Sequence, residues 1–385
     1  MTDGIVVVGA SVATTAFLER LRELGNKEPV QIVDFDGDAP YDRPPLSKQY
    51  LVDGDTEAIR VDWADLNAQL VRARAVGVDA AARTLAVEDA VTGAATSIPF
   101  SQLVLACGAT PARLPFEPSN TLVLRSAQDA RALRESIAPE GSVLVIGAGA
   151  IGVELASSLA ARGVTVTVLD RATGPLERLL GGHLQTDIVD WLADAGVTTR
   201  FDVGIRRVEQ VGDGWEIEID EGEILRADRV ISAVGARPAV AWLENSGLLT
   251  DGALLVDASG SVLVDGQPLE VVSAIGDVAS RHTGGERPTR TESWAAAREQ
   301  GTKLAERLCG AEASPTGWDY FWTEVAGRRV QVVGSLDPSG ELVLESENPE
   351  RRSSLYRVDT PTGTTGWLGI NAAPKIAKLL MAPTT

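Results

Sequence analysis

The stretch 142–170, SVLVIGAGAIGVELASSLAARGVTVTVLD, decides the fold. Residues 143–146 form a short apolar, β-branched run, which predicts a buried parallel strand. GAGAIG follows, with Gly147, Gly149 and Gly152 at the spacing of a dinucleotide-binding turn. The first glycine allows the tight turn, the second lets backbone approach a pyrophosphate, and the third lets the next helix pack close to the strand. Residues 151–162 read as a helix whose unpaired N-terminal amides, Ile151's among them, would face phosphate. Gly163 stops that helix, 164–169 is a second strand, and Asp170 stands at its end, 18 residues past Gly152. A carboxylate there would accept both hydroxyls of an adenosine ribose and repel a 2′-phosphate, which favours NADH over NADPH. Glycine-rich turns are common; glycines, helix and terminal acid within one 29-residue βαβ unit point to a nucleotide site.

Working outward, residues 4–36 repeat this arrangement. A strand at 5–8 runs into the turn from Gly9 to Thr14, then a helix at 16–24 and a strand at 30–33 ending at Asp34 and Asp36. Ser11 and Thr14 replace the second and third glycines, so Thr14 should push the helix slightly away from the strand. A second repeat supports duplication: VLACGATP at 104–111, with Ala106 and Gly108, echoes ISAVGARP at 231–238, with Gly235. Each octet follows its own glycine turn by about 80 to 95 residues, as the last strand of a nucleotide-binding half would. Two βαβ units mean two dinucleotides, or one dinucleotide and a relic.

The 385 residues allow two or three domains with ample core. A formal charge of −19 argues against general nucleic-acid binding. No apolar run reaches the ~18 residues of a membrane helix, and no basic segment or cleavage site precedes the first strand, so a cytoplasmic protein without membrane association is expected. Cys107 and Cys309 lie 202 positions apart, outside any CxxC, and read as small buried apolar residues rather than a redox disulfide. The two histidines, His183 and His282, belong to no cluster with metal-ligand spacing, so no metal is expected. Residues 39–48, APYDRPPLSK, carry three prolines in six positions, which predicts an extended, rigid loop. That loop is either a flavin cradle holding Arg43 and Lys48 or a surface connector with solvated charges.

The whole chain resembles, in register, the FAD- and NADH-dependent ferredoxin reductases of Rieske oxygenase and bacterial cytochrome P450 systems, the putidaredoxin-reductase type. PYDRPPLSK at 40–48, LACGATP at 105–111, GAGAIGVE at 147–154 and SAIGDVA at 273–279 carry the resemblance. TESWAAAREQG at 291–301 and DYFWTEVAGRRVQVVG at 319–334 complete it. It implies an α/β fold of two Rossmann-like dinucleotide-binding domains plus a smaller α+β C-terminal domain. Residues 1–110 and 236–313 would form the FAD domain, 111–235 the NADH domain, and 314–385 the domain covering the flavin. For FAD, Gly9 and Ser11 would hold the pyrophosphate and Asp36 the ribose, with Asp34 as runner-up. Ala106 and Gly108 would border the flavin site, Arg43 and Lys48 the phosphate and isoalloxazine, and Arg125 the pyrophosphate. Asp277 would bind the ribityl chain, Glu292, Ser293 and Trp294 the pyrimidine edge, and Trp322 the other side of the flavin. For NADH, Gly147, Gly149, Ile151 and Gly152 would bind phosphate, Asp170 the ribose, Glu154 the carboxamide and Gly235 the nicotinamide. An ordinary helix-surface charge is the alternative for Glu154.

The chain departs from the family pattern at Ser11/Thr14, at Cys107 where Thr is usual, and at Glu324-Val325 where Asp-Gln is usual. The chemistry requires no protein acid, base or nucleophile, because hydride transfer belongs to the cofactors. Electrons would leave to a transiently bound [2Fe–2S] ferredoxin, which Arg328, Arg329, Arg351 and Arg352 on a nearly neutral C-terminal segment would steer. The alternatives are an NADH oxidase of the same fold, or an NADH-responsive flavoprotein acting through partner binding. That segment is expected to form hairpins over 329–336, 341–345 and 355–358, closing with a helix at 373–381.

Overall fold

A computed structural model describes residues 4–282 and 288–382. The chain divides into two compact units. Unit 1 comprises Met1–Asp42, Arg60–Thr110 and Arg237–Thr316, and unit 2 comprises Arg43–Ile59, Pro111–Ala236 and Gly317–Thr385. The ends of the expected FAD and C-terminal domains, 1–3 and 383–385, lie outside the described residues, as do 283–287.

Unit 1 is built on an eight-stranded sheet. Its parallel centre runs Gln267–Ala274, Gln102–Leu105, Ile5–Val8, Val30–Asp34 and Ala68–Asp79. Ser261–Val264 flanks it antiparallel on one side, and Thr84–Asp89 with Ala95–Pro99 on the other. The central runs are buried on both faces, which is why IVVV and QLVL read as continuous apolar runs rather than alternating ones. On one face the Val12–Glu23 and Trp294–Leu308 helices enclose Val7, Phe17, Ile32, Val104 and Leu304. These helices touch through Gly301, where a Cβ would lie 2.2 Å from the Ala13 carbonyl oxygen. The opposite face packs Val6, Val33, Leu85, Leu105 and Val272 against Leu243 and Leu254.

Unit 2 holds a four-stranded parallel sheet ordered Val197–Arg200, Thr165–Leu169, Ser142–Ile146, Arg229–Ser232. A three-stranded antiparallel sheet, Ile205–Val211, Gly214–Ile219 and Ile224–Ala227, shares a core with it around Leu144, Leu169 and Trp215. A five-stranded antiparallel sheet runs Tyr320–Val325, Arg328–Gly334, Gly363–Ile370, Ser353–Thr360, Glu341–Asn348. It is followed by a helix over Ala373–Met381, the range its sequence pattern predicts. Val333 and Leu355 of this sheet form a small cluster with Ala372 and Ile376. Val325, Val330, Val332 and Leu368 pack in one cluster with Val145, Val153 and Leu159 of the nucleotide half.

One expectation is corrected here. Residues 44–48 are not extended: Pro44–Ser47 is a 3-10 turn, and the short Gln49–Asp53 helix follows. The fixed φ of proline suits the first turn of a helix, and neither Pro44 nor Pro45 is asked for an amide hydrogen there.

Candidate functional site

The two glycine turns have the same wiring. In unit 2 the Gly147 amide donates to the Leu169 carbonyl at 2.8 Å, and the Ala148 amide donates to Asp170 Oδ2 at 2.5 Å. Asp170 Oδ1 accepts the Ala172 amide at 2.8 Å. In unit 1 the Gly9 amide donates to Val33 at 2.8 Å and the Ala10 amide to Asp34 Oδ2 at 2.5 Å. Asp34 Oδ1 accepts the Asp36 amide at 2.7 Å. Asp34, not Asp36, therefore stands where Asp170 stands. Asp36 accepts the Tyr41 hydroxyl and the Asp38 amide instead.

The repeated octets close each turn from the other side. A Cβ on Gly9, at φ +108°, would fall 2.5 Å from the Ala106 oxygen, and one on Gly147, at φ +105°, 2.4 Å from the Ala233 oxygen. Both positions demand glycine, for backbone conformation and for space. At Gly149 a Cβ would meet nothing within 4 Å, so the turn has room for a phosphate at the start of the Ala150–Ala161 helix. At Gly152 a Cβ would lie 1.9 Å from the Gly147 oxygen. Thr14, the equivalent residue in unit 1, is fully buried and donates its hydroxyl to the Gly9 oxygen at 2.6 Å. The unit 1 turn thus accommodates a side chain at the position where unit 2 has Gly152. Ser11 caps the Val12–Glu23 helix by accepting the Thr14 amide at 3.3 Å.

Gly108, Asp277, Glu292, Ser293 and Trp294 belong to unit 1, with Gly9, Ser11, Asp36 and Ala106. Asp277 lies in the Gly276–Val278 3-10 turn. Gly276, at φ +74°, abuts Ala13, and its amide donates to Gln300 Oε1 at 2.9 Å. Gln300, which lies in the 291–301 motif, thus holds the turn that carries Asp277. Ser293 caps the Trp294–Leu308 helix, Glu292 pairs with Arg290, and Trp294 Nε1 donates to Asp42 at 2.9 Å. Cys107 donates its thiol weakly to the Ala239 carbonyl at 3.5 Å, and burial pushes that thiol up to about 11. It is protonated at neutral pH and is no nucleophile.

Arg43, Lys48, Arg125 and Trp322 belong to unit 2, with Gly147, Gly149, Ile151, Gly152, Glu154, Asp170 and Gly235. Glu154 is no surface charge: it is 3% exposed. Its Oε2 meets Lys48 Nζ at 2.8 Å and accepts the Ser47 hydroxyl. Its Oε1 accepts the Thr323 hydroxyl at 2.7 Å. Lys48 also donates to the Pro44 carbonyl at 3.0 Å. Glu154 is the fifth residue of its helix, so these partners rather than the helix dipole hold its charge. Trp322 stacks on Tyr320 with ring centroids 5.6 Å apart, and the Arg329 guanidinium lies 5.6 Å from its ring centre. The Arg125 amide donates to Asp129 at 3.0 Å, just ahead of a capping box made by Ser126 and Asp129.

Residues 3–301 match the family model described as pyridine nucleotide-disulphide oxidoreductase. The chain belongs to that family. Its members are FAD-containing enzymes that use NADH, and both glycine turns fit such ligands: a carboxylate at the strand end, a helix start without an acidic first turn, and space at Gly149. The benzene 1,2-dioxygenase system ferredoxin–NAD(+) reductase subunit of Pseudomonas putida is 29% identical, over 93% of this chain and 87% of its own. Rhodocoxin reductase of Rhodococcus erythropolis is 30% identical, over 86% of this chain and 78% of its own. The crystal structure of the ferredoxin reductase for the CYP199A2 system from Rhodopseudomonas palustris superposes with a TM-score of 0.86 at 27% identity, over 98% of this chain and 93% of its own. The family name mentions a disulphide, but both cysteines of this oxidoreductase are free. Among the described residues no His, Cys, Asp or Glu cluster could hold a metal ion, and no helix is long and apolar enough to cross a membrane.

Proposed function

We propose that this oxidoreductase takes electrons from NADH through FAD to a [2Fe–2S] ferredoxin serving an oxygenase or cytochrome P450. The observation that carries the reading is the pair of identically wired turns, each closed by its own octet and ending on its own aspartate, in a chain whose cysteines form no disulfide. The relatives named for ferredoxins and oxygenase systems support the choice of acceptor. Bound FAD supplies the conversion of a two-electron hydride into single electrons.

The protein's part is to bind and orient. The unit 1 turn would hold FAD, with Gly9 and Ser11 at the pyrophosphate and Asp34 taking the ribose, since it is placed as Asp170 is. Asp277, held by Gln300 and Ala13 through Gly276, would meet the ribityl chain. The unit 2 turn would hold NADH, with Asp170 on the ribose and repelling a 2′-phosphate. Glu154, paired with Lys48, would offer the carboxamide an acceptor. Because the rate depends on how closely the reactants are held in place, loosening either adenosine anchor would slow the reaction. Both cysteines are free, so no disulfide competes as electron acceptor. A cytoplasmic site of action follows from the reading.

The test is direct. Purified protein should be yellow, should bleach on anaerobic addition of NADH, and should reduce cytochrome c only when a [2Fe–2S] ferredoxin is added. Colourless protein that takes up no FAD would overturn the reading. Rapid NADH consumption with oxygen alone would assign the chain to the NADH oxidases.

A further inference from the structure

We propose that Arg74, lying over the ring of Phe35, forms the platform on which the adenine of the unit 1 dinucleotide stacks. This rests on the reading of unit 1 as the FAD-binding half.

Three observations converge. Phe35 is 51% exposed and directly follows Asp34, whose carboxylate is anchored on the Ala10 amide. The Arg74 guanidinium carbon sits 3.7 Å from the centre of the Phe35 ring. Val30–Asp34 pairs in parallel with Ala68–Asp79, and the register sets Asp34 opposite Arg72. Arg72 and Arg74, two residues apart, therefore stand on the face that carries Asp34, and both are exposed. Neither the aromatic nor the guanidinium contributes to the core of unit 1.

The chemistry of the pair fits a purine. A guanidinium is planar, weakly hydrated and able to stack, and resting on Phe35 leaves it ordered before a ligand arrives. Adenine is one glycosidic bond from the ribose that Asp34 would take. The other half lacks the device: the residue after Asp170 is Arg171, not an aromatic. That asymmetry matches what each half must do. NADH has to leave on every turnover, whereas FAD has to stay. The unit 1 turn has Ser11 and Thr14 in place of two glycines, and a grip on the base compensates for a looser grip on the pyrophosphate.

The experiment is FAD dissociation from the full-length holoprotein on dilution, followed by flavin fluorescence, for wild type, Arg74→Ala, Phe35→Ser, the double variant and Arg74→Lys. Each single substitution should raise the FAD dissociation constant on the order of tenfold, the worth of one base stack. The double variant should be little worse than the weaker single one, because the two side chains act as one platform. Arg74→Lys, which keeps charge but loses the plane, should behave like Arg74→Ala. Riboflavin, which lacks adenine, should bind wild type and variants alike, and NADH affinity should not change. Melting temperatures of the stripped proteins should be equal, since both side chains are exposed. FAD constants within twofold of wild type in Arg74→Ala and Phe35→Ser would overturn the platform while leaving the function intact. A wild-type protein that holds no FAD would overturn both.

Discussion

Glu154 concentrates what a single residue does here. A carboxylate 3% exposed is tolerable only because Lys48, Ser47 and Thr323 meet both of its oxygens. Glu154→Ala would leave the Lys48 ammonium, itself only 15% exposed, without its counter-charge. The expected cost is about 3–5 kcal/mol, the usual penalty for orphaning one member of a buried pair, read as a lowered midpoint in thermal or urea unfolding. Removing both partners, as Lys48→Met/Glu154→Leu, should recover part of that loss. A Glu154→Ala protein as stable as wild type would show that the pair is solvated in solution. The sequence could not reveal this burial. From 147–154 alone a surface charge remains an alternative for a glutamate near a helix start, and its partners come from positions 107 and 169 residues away.

At the scale of elements, legibility followed locality. The Ile5–Val8 strand and the Ala373–Met381 helix were readable because a short apolar run or an amphipathic period needs no distant information. The octets were readable because duplication left the same letters in both halves, and Ala106 and Ala233 indeed face the first glycine of each turn. Which of Asp34 and Asp36 is wired as Asp170 is was not readable, because that depends on which carboxylate reaches the Ala10 amide across 24 residues. The allegiance of 43–59 to unit 2 was equally hidden: it rests on contacts such as Arg134 donating to the Tyr50 and Leu51 carbonyls. The tie between the Val12–Glu23 and Trp294–Leu308 helices gives a pH prediction. Burial pushes Glu306 up, but the Ser314 hydroxyl and amide and the Arg20 guanidinium outweigh it and hold the carboxyl below its ordinary value. A group depressed in the folded state stabilises it above the unfolded value near 4.3 and loses that contribution as pH falls through the folded value. Glu306→Gln should therefore lower the melting temperature at pH 6 to 7 and flatten its fall between about pH 5 and 3. Parallel acid limbs in the two proteins would remove Glu306 from the linkage.

For the molecule as a whole, the distribution of charge bears on the proposed acceptor. The chain carries −19, yet residues 318–385 hold seven basic and eight acidic side chains, so nearly all the excess negative charge lies elsewhere. The four arginines expected to steer a ferredoxin are not equivalent. Arg328 lies over the Trp191 ring at 4.8 Å and donates to the Ala326 carbonyl, so it is partly spent on structure. Arg329, Arg351 and Arg352 are exposed, and Arg329 sits beside Trp322. If they steer an acidic ferredoxin, the effect must appear in the association rate and must fade with salt. Arg351→Glu/Arg352→Glu and Arg329→Glu should each slow ferredoxin reduction several-fold at about 10 mM ionic strength, where the Debye length is near 30 Å. The deficit should largely vanish at about 1 M, where that length is near 3 Å. Reduction of ferricyanide, which needs no docked protein, should stay at the wild-type rate in every variant. Stopped-flow traces that are insensitive to both salt and substitution would place the docking surface away from this segment, and an equal loss with ferricyanide would mean that the substitutions had disturbed the flavin rather than the encounter.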